Sequence, residues 1–160
     1  FNTLMADTAF NHDAGFVSFF LADCLIGMDI LAIREIVPAA RITRVQHAPE
    51  AVRGVMNLRG QILAVLDMGI LLGLGQTRIG ADTHIIVFKH RDVGFLVDRI
   101  GDVFQADENR SEPVPANVDP AIKPYIDQII RYQSQVVMAL SADRILAYSP
   151  GTADRTEGGA

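Results

Sequence analysis

The chain repeats itself, and that repetition constrains its fold more than any other feature. Val52 to Asp67 reads Val-Arg-Gly-Val-Met-Asn-Leu-Arg-Gly-Gln-Ile-Leu-Ala-Val-Leu-Asp. Ile126 to Ser141 reads Ile-Asp-Gln-Ile-Ile-Arg-Tyr-Gln-Ser-Gln-Val-Val-Met-Ala-Leu-Ser. The two stretches align without a gap, setting Gln61 on Gln135, Leu66 on Leu140 and Asp67 on Ser141. A second pair lies upstream of each. Ile26 to Val37 aligns with Val93 to Phe104, so that Ile26, Ile30, Ile33 and Ile36 fall on Val93, Val97, Ile100 and Val103. Two copies of one unit, in the same internal order, predict two similar substructures.

Within each copy the pattern reads as short strands. Residues 52–57 and 61–66 are apolar runs joined by Leu58-Arg59-Gly60, a three-residue hairpin loop in which Gly60 supplies a positive φ. The second run is apolar on both faces and is expected to be buried on both. Asp67 and Ser141 each precede a helix-like stretch and carry side chains that accept from the first free amides of a helix. Phe16 to Leu21 reads as a strand, turning at Ala22-Asp23 into a second strand through Met28. Asp29 to Val37 reads as a turn feeding a strand that Pro38 stops. Arg41 to Val45 is expected to be a strand, and Pro49 to Arg53 one helical turn closed by Gly54. Thr83 to Phe88 opens the second copy, and residues 107–124, with four prolines, form the longest connection.

The fold class that follows is all-β with a few short helices: two five-stranded β-barrel subdomains related by internal duplication. Residues 1–14 read as a disordered N-terminal segment, 15–149 as the domain, with interleaved subdomains of roughly 15–80 and 81–149, and 150–160 as a flexible tail. The chain opens on Phe1, which reads as a fragment boundary with Met5 as a native start, while polar ends on both sides read as those of a complete small protein.

Charge and composition narrow the function. A net charge of −5 and a pI of about 5.2 oppose nucleic-acid binding, which needs clustered positive charge. Residues 36–66 nevertheless hold Arg41, Arg44, Arg53 and Arg59 against Glu50 alone. Arginine suits hydrogen-bonded protein interfaces, although a solvated face is the plainer reading of most of these. No apolar run approaches the ~18–20 residues of a membrane span, so direct membrane insertion is not expected. The single cysteine, Cys24, and the absence of a secretory leader place the chain in a reducing cytoplasm. His12, His47, His84 and His90 lack metal-site spacing, the glycines fit no phosphate loop, and no serine sits in a nucleophile elbow. Neither cofactor nor metal is expected, and the chain reads as a non-enzyme. The competing class, a barrel enzyme or small-ligand binder, requires a deep polar pocket with clustered titratable groups.

Taken together these motifs resemble the CheW-like family of chemotaxis coupling proteins. The resemblance runs from about Phe16 to Leu146 and rests on Gly27-Met28-Asp29-Ile30-Leu31-Ala32-Ile33-Arg34-Glu35-Ile36, on Arg53-Gly54-Val55-Met56-Asn57-Leu58-Arg59-Gly60 with the strand ending in Asp67, and on Gly94-Phe95-Leu96-Val97-Asp98. It implies paired five-stranded barrels and an adaptor without catalysis, cytoplasmic and associated with membrane-anchored chemoreceptor arrays. One surface would bind the regulatory domain of the histidine kinase CheA and another the cytoplasmic tip of a chemoreceptor. The receptor would lie in an apolar groove between the subdomains and around the Asn-Leu-Arg-Gly hairpin, which nominates Ile33, Glu35, Gly54, Arg59, Gly94, Ile100 and Val103. The kinase would meet an exposed barrel end, with Arg41, Arg44 and Val45 as candidates. Beside these roles stand plainer ones: Gly54, Gly60 and Gly94 serving the backbone, and Ile33, Ile100 and Val103 serving the core. Arg59, between Leu58 and Gly60, has no packing duty and reads as functional. Gln128 at the position of Gly54 and Ser141 at that of Asp67 are departures in the second copy. A related domain cut from a larger protein, the kinase's regulatory domain or a coupling-receiver fusion, is the nearest alternative.

Overall fold

The computed structural model describes residues 14–39, 41–106 and 111–147. The segments expected to be disordered, 1–14 and 150–160, fall outside these residues except for Ala14. The strands are β1 (Ala14–Leu21), β2 (Cys24–Asp29), β3 (Ile33–Pro38), β4 (Val52–Leu58), β5 (Gln61–Asp67), β6 (His84–Phe88), β7 (Val93–Val97), β8 (Arg99–Ala106), β9 (Ser111–Glu112), β10 (Ile126–Tyr132) and β11 (Gln135–Leu140). Helices α1 (Met68–Leu71) and α2 (Ala142–Ala147) follow β5 and β11, and short 3-10 turns precede β3 and β10.

The strands form two sheets. One has the order β8-β1-β2-β11-β10-β9 and the other β3-β6-β7-β5-β4. Reading β1 to β5 as the first copy and β6, β7, β8, β10 and β11 as the second, the two orders are the same. Each sheet takes the first two strands of one copy and the last three of the other. The exchange happens where β2 runs through the turn at Ile30–Ala32 into β3, and where β7 passes Asp98 into β8. The chain is thus two interleaved sheets, neither of which coincides with residues 15–80 or 81–149.

The ladders are open rather than closed barrels, which corrects the sequence reading. In the second sheet the residues after β3 return to the opposite edge, where Thr43 bridges Val55 through bonds of 2.8 and 2.9 Å. That bridge is what the strand expected at Arg41 to Val45 amounts to. In the first sheet β9 plays the same part, placing Glu112 on Ile129, the counterpart of Val55. Covalent connection and one short bridge therefore join the edges where a barrel would need a full ladder. The helical turn expected at 49–53 is a plain turn, closed by Val52 N–H donating to the Pro49 carbonyl at 2.9 Å. Gly54 lies within β4.

Both hairpin loops have two residues, where three were expected in the first. Leu58 pairs with Gln61, leaving Arg59 and Gly60 at φ of 51° and 88°; Tyr132 pairs with Gln135, leaving Gln133 and Ser134 at 49° and 67°. Positive φ at both central positions matches the twist of the flanking strands. The expected caps form in both copies: Ile70 N–H donates to Asp67 Oδ1 at 3.2 Å and Arg144 N–H to Ser141 Oγ at 3.3 Å.

The largest apolar cluster draws from both sheets. It includes Phe19, Ile26 and Met28 from the first, and Leu66, Phe88 and Phe95 from the second, with Phe95 5.5 Å from Phe19 and 5.2 Å from Phe88 between ring centres. Each fully buried aromatic or aliphatic side chain is worth about 1.5–3 kcal/mol, so this shared layer is the principal bond between the sheets. Each sheet has a smaller cluster of its own: Phe16, Phe104 and Val137 in one, Met56, Leu63 and Leu96 in the other.

Candidate docking surfaces

The β4–β5 hairpin is held rigid from three directions. Gly60 N–H donates to Asn57 Oδ1 at 2.8 Å, closing the loop from within. The Gln61 side-chain amide donates to the carboxylate of Asp92, in the β6–β7 turn, and Arg59 Nη2 donates to Glu35 of β3. Arg59 is 69% exposed and Glu35 25%. Since β3 and β4 are opposite edges of one sheet, this ion pair also reports how far the sheet curls. Among the nominated receptor positions it is Glu35 and Arg59 that the structure brings together at the surface.

The other positions have different duties. Ile33 is 9% exposed, pairs with Phe88 and belongs to the shared core; Ile100 is half-buried against the same cluster. Gly94 is buried, and a Cβ there would stand 2.7 Å from Ile85 Cγ2. Gly54 has φ 147°, and a Cβ would stand 2.1 Å from the Thr43 carbonyl oxygen, so its lack of a side chain permits the bridge that brings the sheet's edges together. Val103, for which a core role was open, is instead 49% exposed on edge strand β8. The space between the sheets is filled by the shared core. The hollow at that junction, about 370 Å³ beside Leu31, Lys89, His90 and Leu146, is lined by none of the seven positions.

A second surface lies at the other end of β4. Arg44 and Val45 line an open hollow of about 1030 Å³ together with His47, Val52, Arg53 and Ile79. Val45 and Ile79 are 47% and 42% exposed; Arg41 is exposed too but does not line this hollow. Beneath it is a network that sequence reading missed. Arg53 Nη1 donates to Asp67 Oδ2 at 2.9 Å and to the Thr77 carbonyl at 2.7 Å, while Thr77 N–H donates to the same carboxylate at 3.0 Å. Asp67 is fully buried. A carboxylate closing a wholly apolar strand was the signal, since such a group must find a cation and amides inside the fold. The network fixes loop 74–78 against α1 and holds up one wall of the hollow.

Among the described residues no group of three or more His, Cys, Asp and Glu is placed to hold a metal ion. Cys24 is half-buried, and burial, with Asp23 and Asp119 adding negative charge, pushes its thiol pKa up. No helix among the described residues is long and apolar enough to cross a membrane.

Comparison with known proteins agrees with this architecture. The chain is 33% identical over 102 residues to the chemotaxis protein CheW of Helicobacter pylori, an alignment covering 62% of either protein, and 29% identical over 121 residues to that of Bacillus subtilis, covering 74% of this chain and 78% of the relative. Its fold superposes on the crystal structure of the scaffolding protein TtCheW from Thermoanaerobacter tengcongensis with a TM-score of 0.73 and 29% identity, over 81% of this chain and 85% of that one. Residues 15–149 match the model of the CheW-like domain, and the chain belongs to that family.

Proposed function

We propose that the chain is a non-catalytic coupling adaptor of bacterial chemosensory signalling. It joins the cytoplasmic tip of a chemoreceptor to the regulatory domain of the histidine kinase CheA, within receptor arrays at the cytoplasmic face of the membrane. The observation that carries the reading is the presence of two distinct surfaces on one rigid element. Arg59 stands at one end of β4 and the Arg44–Val45 hollow at the other; a strand of this length, Val52–Leu58, separates them by about 20 Å. An adaptor needs that separation, because two partners must sit on it at once.

The receptor surface is assigned to Glu35 and Arg59, with Val103 as an exposed apolar contact on β8. Ile33 and Ile100 pack in the shared core, Gly94 lies close against Ile85, and Gly54 permits the Thr43–Val55 bridge, so these four serve the fold rather than the contact itself. The kinase surface is assigned to Arg41, Arg44 and Val45. Exposed aliphatic side chains beside arginines suit a partner that offers apolar anchors rimmed by carboxylates.

The test is binding of the full chain to a purified kinase regulatory domain and, separately, to a receptor signalling-tip fragment. Arg59→Ala is expected to weaken receptor binding about tenfold and leave kinase binding unchanged. Arg44→Glu is expected to do the reverse. Failure of the wild-type chain to bind either partner refutes the adaptor reading.

A further inference from the structure

Arg53 belongs both to a buried ion pair and to an open surface. Its bonds to Asp67 Oδ2 and to the Thr77 carbonyl both leave through Nη1. Asp67 is fully buried, while the Arg53 side chain keeps 20% of its surface open and lines the hollow beside Arg44 and Val45. None of its nitrogens is among the described side-chain atoms that are closed to solvent without a partner. Nε and Nη2, which carry no bond among the described residues, are therefore open to that hollow. A guanidinium holds its donors in one plane, so a clamp on one nitrogen fixes where the others point. A free surface arginine loses rotamer freedom when a partner orders it, whereas Arg53 has lost that freedom already in folding.

We infer that Arg53 is a contact residue for the kinase regulatory domain, presenting Nε and Nη2 to an uncharged oxygen, a main-chain carbonyl of the segment seated in the hollow. The inference rests on the adaptor reading, which puts the kinase at this end of β4, and adds the group recognised there. The class of acceptor follows from Asp67. Its carboxylate, 2.9 Å from Nη1, already balances the guanidinium from inside the fold. A second carboxylate would meet that like charge where little water screens it, and a carbonyl meets no such penalty. Acidic side chains of the kinase are left to Arg44, which is exposed on the same hollow. Ile42, Val52 and Ile79 supply apolar walls, and a hydrogen bond they shut off from water gains strength.

The experiment measures binding of the full chain to the purified kinase regulatory domain, with a receptor signalling-tip fragment as control. Arg53→Lys keeps a cation beside Asp67 but lacks the second edge of the fork, and is expected to bind the kinase domain about tenfold more weakly. The net-neutral double variant Arg53→Met with Asp67→Ser should lose a similar factor, and both should bind the receptor fragment like wild type. Because the acceptor is uncharged, the loss in the double variant should hold as salt is raised, whereas the loss in Arg44→Glu should shrink. In the wild-type chain with ¹⁵N-labelled arginine, the Nε–Hε signal of Arg53 should move on adding the kinase domain and stay on adding the receptor fragment. That signal decides the matter if the variants melt early. Variants that bind the kinase domain like wild type, an unmoved signal, or a loss shared equally by both partners overturns the inference and leaves the adaptor reading standing. A loss that shrinks with salt as that of Arg44→Glu does overturns the uncharged acceptor. If the wild-type chain does not bind the kinase domain at all, the kinase assignment fails and the inference fails with it.

Discussion

Gly54 and Gly60 lie six residues apart on the same hairpin, yet they serve different ends. At Gly60 a Cβ would find nothing within 4 Å, so substitution meets only the cost of φ 88°. At Gly54 the Cβ would collide with the Thr43 carbonyl, and φ is 147° as well. Gly60→Ala is therefore expected to lose about 1 kcal/mol in denaturant unfolding, the order of an L-residue in a left-handed conformation. Gly54→Ala should lose at least twice that and abolish the Thr43–Val55 bridge, which amide hydrogen exchange at Val55 would read. Equal losses at the two positions would contradict the assignment. The second copy shows how the requirement is avoided: Gln128, at the position of Gly54, is not among the residues of positive φ, and its strand is bridged by β9 instead. Cys24 permits a further check. Its raised thiol pKa means less thiolate at pH 8, so alkylation there should lag that of free cysteine and catch up as the pH rises.

The two hairpins carry the contrast to the level of elements. Both turns need positive φ twice, but the first supplies one glycine while the second uses Gln133 and Ser134. Replacing these two by Asn-Gly should stabilise the protein by about 1 kcal/mol, measured as a shift in the denaturant midpoint at constant slope. The Arg53–Asp67 pair works in the opposite sense. Arg53→Met leaves a buried carboxylate without its cation and should cost about 3 kcal/mol, whereas adding Asp67→Ser, the residue of the second copy, should return much of the loss. A double variant as unstable as the single one would remove the ion pair from this account. The elements were largely legible in the sequence because apolar alternation, Pro38 and the caps at Asp67 and Ser141 are local signals. Arg59 at positive φ was not, since a two-residue and a three-residue loop read alike when the strand ends are blurred by flanking apolar residues. Glu35 and Arg59 were nominated by motif, but their pairing depends on the curl of a whole sheet. Val103 was open to a core reading by residue type, and its place on an edge strand left it exposed. Arg53 was passed over because nothing within its own strand shows that Asp67 is buried beside it.

Duplication was visible in the sequence, but the exchange of strands was not, because a repeat says how each copy is built and nothing about which copy its edges join. Here every ladder contact other than the hairpins and β9 runs between copies: β1 with β8, β2 with β11, β3 with β6, and β5 with β7. Half a chain therefore contains two hairpins that share no hydrogen-bonded neighbour, and isolated hairpins are marginal in water. The apolar layer is divided in the same way, since Phe19 lies in the first copy and Phe88 and Phe95 in the second. Fragments 1–80 and 81–160 are accordingly expected to be unfolded when separate, with collapsed amide dispersion and no cooperative melt. Mixed at equal concentration they should regain a dispersed spectrum, with an apparent stability that rises with fragment concentration as association requires. The intact chain should unfold in one transition, with amides of β1 and β7 losing protection together, because no part of the shared core survives separation of the copies. A dispersed spectrum from monomeric 1–80 alone would mean that a single copy can close its own sheet. The second half would then be an attached module rather than part of the same folding unit.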